Sequence, residues 1–445
     1  MSGIAEVLLS LGFTVTGSDL KESAVVRRLR DLGGRVAIGH AEENVRDVDV
    51  VVRSTAVHDD NPEVVAAMRA KIPVIPRAEM LAELMRLRYG LAVAGTHGKT
   101  TTTSMLATIL HRCALDPTVV IGGRLDRFGS NARVGAGDYL VAEADESDGS
   151  FLLLHPTIAI ITNIDPEHLE HWGTFDALVD GFATFANRIP FYGCAVVCVD
   201  HPVIQRVLPR LKRRVWTYGM SPQADLRADR VRQSGATVEF RVLRRDEVLG
   251  EVRLAIPGRH NVLNALAAIS VALELDLPFP QIAEAICDFS GVDRRFSERA
   301  RVGETAIVDD YGHHPVEIQA TLAAAAEGWE GRRILAVFQP HRYTRVHDLS
   351  QEFCHSFHLA THVVVCPIYA AGESPIPGVD HRALGEGIRA AGHRSVEVVD
   401  DLDAALAHLA AYVRPGDLVI TLGAGDVNRI CVPLADRLRA AGHGG

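Results

Sequence analysis

Leu91-Ala-Val-Ala-Gly-Thr-His-Gly-Lys-Thr-Thr-Thr-Thr103 carries an apolar strand into a turn bounded by two glycines, and the turn into a lysine followed by four threonines. That order of parts builds a triphosphate site. Gly95 and Gly98 let backbone N–H groups approach phosphate oxygens, and the helix that follows points its positive end at them. Lys99 can reach the β- and γ-phosphates, and Thr100 can offer an oxygen to magnesium. Gly95, Thr96, His97, Gly98, Lys99, Thr100 and Thr101 are therefore predicted to hold ATP or GTP. The spacing G-x-x-G-K-T is shorter than the general G-x-x-x-x-G-K-[ST], so the general motif is met only in part. Lysine is scarce, four among 46 basic residues, which makes its placement here less casual.

Outward from this segment, short β-branched runs alternate with alanine-rich helical stretches, the signature of an α/β chain with parallel sheets. A chain of 445 residues exceeds what one core organises. Three domains are expected: a Rossmann-like one over 1–88, a central nucleotide-binding one over 89–291, and a second Rossmann-like one over 292–445. In the first, strands are predicted at Thr14–Thr16, Val48–Arg53 and Val74–Ile75, with helices at Ala24–Leu32 and Pro62–Ala70. Asp19 stands where such folds put a ribose-binding acid. Ser2–Leu11 reads as the helix that should follow a first strand and a glycine-rich loop, and neither precedes it. That strand is central in such sheets, so a gap inside the sheet is expected, with Met1 an internal methionine of a longer chain.

In the central domain, predicted strands Tyr139–Ala142, Thr157–Thr162 and Ala195–Val199 end in polar residues, while Thr237–Leu243 and Glu251–Ile256 read as a small antiparallel accessory sheet. The last domain has predicted strands at Thr305–Val308, Ile334–Phe338, His362–Cys366, Ser395–Val399 and Leu418–Leu422, closed by a strand-end turn at Gly423-Ala-Gly-Asp426.

Composition narrows the class. With 47% hydrophobic and 23% charged residues the chain reads as globular, and no segment approaches the roughly 20 apolar residues of a membrane span. A net charge of -10 argues against non-specific nucleic-acid binding, which depends on clustered Lys and Arg. Seven cysteines without a C-x-x-C pair and the lack of a signal peptide predict a reduced, cytoplasmic protein.

Five further segments could do chemistry. Glu143-Ala-Asp-Glu-Ser-Asp148 follows a predicted strand, and Glu143, first out of it, is the expected magnesium ligand, with a solvated acidic loop as the alternative. Thr162-Asn-Ile-Asp-Pro-Glu-His-Leu-Glu-His-Trp172 sets His168 and His171 three apart, on one face if helical. His168 reads equally as a metal ligand, of a kind that tolerates manganese, or as a helix-capping or surface residue. Pro257-Gly-Arg-His-Asn-Val-Leu-Asn264 opens a helix; His260, Asn261 and Asn264 offer groups that suit adenine, though locally it reads as a plain capped helix. Asp309-Asp-Tyr-Gly-His-His-Pro315 and Gln339-Pro-His-Arg-Tyr-Thr-Arg345 each follow a strand. Arg342 and Arg345 there suit a carboxylate or phosphoryl group, or a structural ion pair.

Taken together in this order, these segments resemble the Mur ligase family of peptidoglycan synthesis over nearly the whole chain. Gly95-Thr-His-Gly-Lys-Thr-Thr matches the family's short phosphate loop. Asp310-Tyr-Gly-His-His-Pro315 and His341-Arg-Tyr-Thr-Arg345 look most like its alanine-adding branch. The resemblance implies an ATP-dependent acid–amino-acid ligase that joins L-alanine to the lactyl carboxylate of UDP-N-acetylmuramate through an acyl phosphate, using ATP and Mg2+, with Mn2+ possible. It assigns Lys99 and Thr100 to phosphates and magnesium, and Glu143 and His168 to metal sites. His260, Asn261 and Asn264 would face adenine, Arg295 the phosphates and Asp310 the ribose. His314, Arg342 and Arg345 would come from the third domain, by its closure, to the reacting carboxyl and alanine, with His314 either orienting or deprotonating the amine. Asp19, His40, Ser54 and Thr55 look like parts of the UDP-sugar site. Sibling ligases use a carbamylated lysine near the second metal; none lies between Lys99 and Lys212. The implied partners are small molecules, with no nucleic acid or membrane, and the implied assembly is a monomer or homodimer.

Overall fold

The computed structural model describes residues 1–54, 56–125 and 130–442. The chain packs as two compact units, one of Met1–Asp229, Arg241–Val252 and Leu263–Phe289, the other of Arg230–Phe240, Arg253–Val262 and Ser290–Gly445. It passes between them along Leu226–Ser234, Thr237–Arg244 and Glu247–Leu254, and again within the helix Arg259–Glu274.

The sheet of the first unit has Tyr89–Ala94 between Tyr139–Glu143 and Ile158–Ile161, all parallel. Cys194–Cys198 and Val215–Gly219 continue it on one side, Thr118–Leu125 and Ser130–Arg133 on the other. Ile158–Ile161 and Cys194–Cys198 are buried at every position. Both faces of such a parallel sheet are covered, so its strands read as unbroken apolar runs. On one face Phe151 packs its ring 5.3 Å from Phe182 and 5.1 Å from Phe185. The helix Lys99–Arg112 is buried from Thr101 through Leu110, which fixes the turn before it to the strand Tyr89–Ala94. Leu226–Ser234, unanticipated, pairs with Val215–Gly219, and Thr237–Arg244 and then Glu247–Leu254 follow it, so the strands expected as a separate accessory sheet extend one ten-stranded sheet instead.

The first 88 residues differ from expectation in detail. The strand predicted at Thr14–Thr16 runs from Thr16 to Asp19, and it pairs in parallel with Arg35–Ile38, which the sequence concealed. Arg35 and Ile38 are exposed and Val36 and Ala37 only half-buried, so the segment shows no alternating buried face to betray a strand. Val51–Arg53 pairs separately with Val74–Pro76, so this region holds two two-stranded parallel sheets. The helices Ala24–Asp31 and Pro62–Arg69 begin at Ser23 and Asn61, whose side chains accept from Val26 N and Glu63 N.

In the second unit the strand order is Ser297–Val302, Thr305–Asp310, Leu418–Leu422, Ile334–Phe338, His362–Val365, Val396–Val398. The first strand is antiparallel and the rest are parallel. Apolar layers cover both faces, Leu322, Phe353 and Phe357 on one, Leu406, Leu409 and Leu434 on the other. The chain steps outward from Ile334–Phe338 and returns to insert Leu418–Leu422 beside Thr305–Asp310. That reversal opens a crevice at the carboxyl ends of the strands, where ligands of such folds gather. Gly423-Ala-Gly-Asp426 is a strand-end turn: Asp426 N and Val427 N donate to Gln339 Oε1 at 2.9 and 3.1 Å. Among the described residues, no helix is long and apolar enough to cross a membrane.

Candidate active site

The turn Gly95–Gly98 is built by contacts that only glycine permits. Gly95 has φ +131°, and a Cβ there would lie 2.0 Å from Thr162 Oγ1; Gly98 has φ +83°, and a Cβ would meet Asn264 Oδ1 at 2.6 Å. The segment Thr162–Asp165 holds the turn from below. Asn163 Oδ1 accepts from His97 N at 2.8 Å, Thr162 Oγ1 donates to His97 O at 2.6 Å, and Asp165 N donates to Thr96 Oγ1 at 2.9 Å. Gly98 then caps the helix Lys99–Arg112, so the turn meets that helix's positive end. This cradle of close backbone and helix N-terminus fits a phosphate chain.

Lys99 lies inside it. Its Nζ donates to Gly95 O at 2.6 Å and to both oxygens of Glu146 at 2.9 and 2.8 Å. Burial alone would lower the lysine's pKa, but Glu146, Asp145 and Glu143 outweigh it and hold the ammonium above its ordinary value. Burial also pushes the Glu146 carboxyl up while Lys99 pulls it down. Two contacts below 3 Å are those of a charge-assisted pair, with both groups ionised.

The acidic loop and the histidine segment converge. One ligand atom each from Glu146, Glu167 and His168 lie within 4.8 Å of one another. Two carboxylates and an imidazole fit a divalent ion, oxygen-preferring magnesium or the more nitrogen-tolerant manganese. Sequence reading missed Glu146 and Glu167, since nothing local separates them from neighbouring acids. Glu143 ends its strand close enough to Lys99 to stabilise the ammonium. His168 has φ 55° and sits just before the short helix Leu169–Trp172, outside it, so it does not share a helical face with His171. His171 instead packs against Gly149 and edge-on to Trp172. Asn264 is also in this unit, where its Oδ1 accepts from Thr102 Oγ1 at 3.2 Å.

Further along the first unit, His40 Nδ1 lies 2.9 Å from Ser18 Oγ, which donates to Glu63 Oε2 at 2.7 Å. Glu63 also accepts from Asn44 Nδ2 at 2.7 Å, so an acid from a helix start organises this cluster. Asp19 is exposed beside it in sequence, its Oδ1 accepting from Lys21 N. Ser54 follows the strand Val51–Arg53, and Thr55 lies outside the described residues.

In the second unit, His260 lies in the first turn of the helix Arg259–Glu274, its ring against Gly258, whose φ is +101°. Burial, with Arg295 adding to it, drives His260 down to about 4, so it is a neutral imidazole at pH 7. Asn261 Nδ2 donates to Pro257 O at 2.7 Å. Asp310 Oδ2 accepts from Phe296 N at 2.7 Å and its Oδ1 from Gly312 N at 2.8 Å, which ties the strand end to the segment carrying Arg295. Burial raises its pKa against the pull of Arg295. Arg295 lies 5.0 Å over the Tyr311 ring and 3.5 Å from Glu317.

His314 caps the helix Pro315–Gly328 in a capping box with Glu317. Its Nδ1 accepts from Val316 N at 3.4 Å, which leaves the proton of a neutral ring on Nε2. Glu317 also accepts from His313 N. Arg342 has φ 69°, and its N–H donates to Tyr369 O at 2.9 Å, while Arg345 Nη1 lies 3.4 Å from His341 Nδ1. His341 stacks on Tyr369, and burial, helped by His313 and both arginines, lowers it to about 4. Tyr369 and Glu373, which lies 4.0 Å from Arg342, were missed because they meet their candidates only across the fold, whereas Glu317 and His341 are local and the capping-box spacing His314-x-x-Glu317 could have shown the first.

A strand–phosphate turn–helix site in one unit and a doubly wound sheet with clustered arginines in the other define a nucleotide-dependent transferase or ligase. Three domain models match the chain, described as Mur ligase family, catalytic domain over residues 1–89, Mur ligase middle domain over 93–272, and Mur ligase, glutamate ligase domain over 294–425. The chain belongs to the Mur ligase family. It is 58% identical over 439 residues to a UDP-N-acetylmuramate–L-alanine ligase of Syntrophotalea carbinolica, covering 99% of this chain and 96% of that one. It is 59% identical to the protein of that name from Anaeromyxobacter dehalogenans, covering 96% and 93%. The crystal structure of a UDP-N-acetylmuramate-alanine ligase from Thermotoga maritima superposes with a TM-score of 0.80 at 29% identity, over 99% of this chain and 97% of that one. A murein peptide ligase from Psychrobacter arcticus gives 0.67 at 25%, over 98% and 96%.

Proposed function

We propose that this protein is a cytoplasmic ATP-dependent ligase that joins L-alanine to the lactyl carboxylate of UDP-N-acetylmuramate, a step of peptidoglycan precursor synthesis. The observation that carries the reading is the glycine-bounded turn with Lys99 inside it, in a chain this similar to ligases of that name. A carboxylate is a poor electrophile. Its oxygen attacks the γ-phosphorus of ATP, the bond from that phosphorus to the β–γ bridging oxygen breaks, and ADP leaves. The neutral amine of alanine then attacks the acyl carbon, and inorganic phosphate departs as the amine loses its proton.

Each named residue has a part. Lys99 and the N–H groups of residues 95–101 neutralise charge on the transferring phosphoryl group, which is mostly positioning and electrostatic work. His260, Asn261 and Asn264 hold adenine, Arg295 the phosphates and Asp310 the ribose. Thr100, Glu143 and His168, with Glu146 and Glu167 added by their geometry, would hold magnesium, whose contribution is to offset phosphate charge. His314, with its proton on Nε2, suits orienting the reacting groups better than removing a proton. Arg342 and Arg345 bind the carboxylates of the substrates. Asp19, His40, Ser54 and Thr55 take the UDP-sugar.

The test measures ADP release with UDP-N-acetylmuramate and a series of amino acids and peptides. Strong preference for L-alanine supports the reading; preference for a tripeptide replaces it with peptide recycling by the same chemistry, and ATP binding without substrate-dependent turnover removes the enzymatic reading.

A further inference from the structure

The Lys99 ammonium has three N–H bonds, and four oxygens already surround it. Gly95 O lies at 2.6 Å, Thr96 O at 3.1 Å, and the two oxygens of Glu146 at 2.9 and 2.8 Å. The two carbonyls belong to the turn itself. Glu146 comes from the loop after Tyr139–Glu143 and is 1% exposed. Its own carbonyl accepts from Trp172 Nε1 at 2.9 Å and from Gly149 N at 3.2 Å, so the loop holds it in place. A phosphate oxygen that bonds to Nζ must therefore take over part of what Glu146 holds.

We propose that Glu146 is a positioning residue that competes with the distal phosphates of ATP for Lys99 and so sets how tightly the nucleotide is held. This rests on the reading of Lys99 as the β/γ-phosphate ligand. The direction of the effect follows from charge. When a phosphate draws the ammonium away, the buried carboxylate loses its partner and faces an incoming anion of its own sign. Glu146→Gln removes both costs, and binding tightens. A residue that merely supported the loop would give the opposite result, because its loss would loosen the turn.

The experiment titrates the full chain with the non-hydrolysable analogue AMPPNP in EDTA, by calorimetry, so that any metal held by Glu146 does not enter. Glu146→Gln is expected to lower Kd about tenfold, the scale of one charge-assisted hydrogen bond. With AMP, which lacks the distal phosphates, the expected change is less than about twofold, and the same holds for AMPPNP when Glu146→Gln is added to Lys99→Met. Unchanged or weaker AMPPNP binding by Glu146→Gln overturns the proposal, as does equal tightening with AMP or in the Lys99→Met background. If Lys99→Met alone leaves AMPPNP affinity intact, the phosphate role of Lys99 has failed; if it weakens binding while Glu146→Gln has no effect, only the role of Glu146 has. Should Glu146→Gln fail to melt cooperatively, Glu146→Asp keeps the charge but shortens its reach. An about threefold tightening is then expected, and none overturns the proposal.

Discussion

His362 Nε2 lies 2.9 Å from His408 Nε2, while its Nδ1 lies 2.7 Å from the Ser395 hydroxyl. Both rings stack with Tyr412, and His393 and Arg333 stand near. Burial, then the neighbouring His408, lowers His362 to about 4. An unfolded histidine titrates near 6.5. Between these values the unfolded chain binds the extra proton, so stability is complete above about pH 6.5 and is lost as the pH falls toward 4. The second unit should lose on the order of 2 to 3 kcal/mol over that window. Melting curves from pH 7.5 to 4.5 check it: His362→Gln should flatten the acid slope, and an unchanged slope contradicts the assignment.

Lys99→Ala removes the ammonium that the phosphate turn encloses. Turnover should fall about 100- to 1000-fold, the usual cost of losing one preorganised donor at a developing charge. Steady-state ADP release reads this directly, and activity within a few-fold of the parent would remove Lys99 from the chemistry.

Gly98→Ala adds a methyl that would lie 2.6 Å from Asn264 Oδ1, at a φ of +83° that alanine disfavours. The substitution should cost about 1 to 3 kcal/mol and displace Asn264 from Thr102, so ATP affinity drops more than stability does. Calorimetric nucleotide titration beside thermal melting separates the two; equal affinity with normal melting would mean that the turn has slack.

Asp309 is 0% exposed and accepts from Arg294 Nε at 3.1 Å, Arg299 Nη2 at 3.3 Å and Thr421 Oγ1 at 2.8 Å. Arg294 in turn donates to Gly423 O and Gly425 O, so one buried carboxylate links the crevice strands to their closing turn. Asp309→Ala should destabilise by about 3 to 5 kcal/mol because the arginines lose a buried partner. Urea unfolding measures this, and a loss below about 1 kcal/mol would show the cluster to be solvated.

The sequence by itself determined the glycine-bounded turn, the helix start at Lys99 and the α/β class, because the turn and the helix start come from one contiguous stretch and parallel strands covered on both faces announce themselves as apolar runs. It also identified Asp310, His314, Arg342 and Arg345 as candidates, each beside a strand end. Tertiary structure alone decided which acid meets Lys99, that Glu167 joins Glu146 and His168, that Glu63 organises Ser18 and His40, and that Glu317 reaches Arg295. Those partners lie up to 47 residues apart in the chain. A carboxylate's local sequence looks the same whether it will face solvent or an ammonium; burial chooses between them, and burial exists only once distant strands and helices have packed.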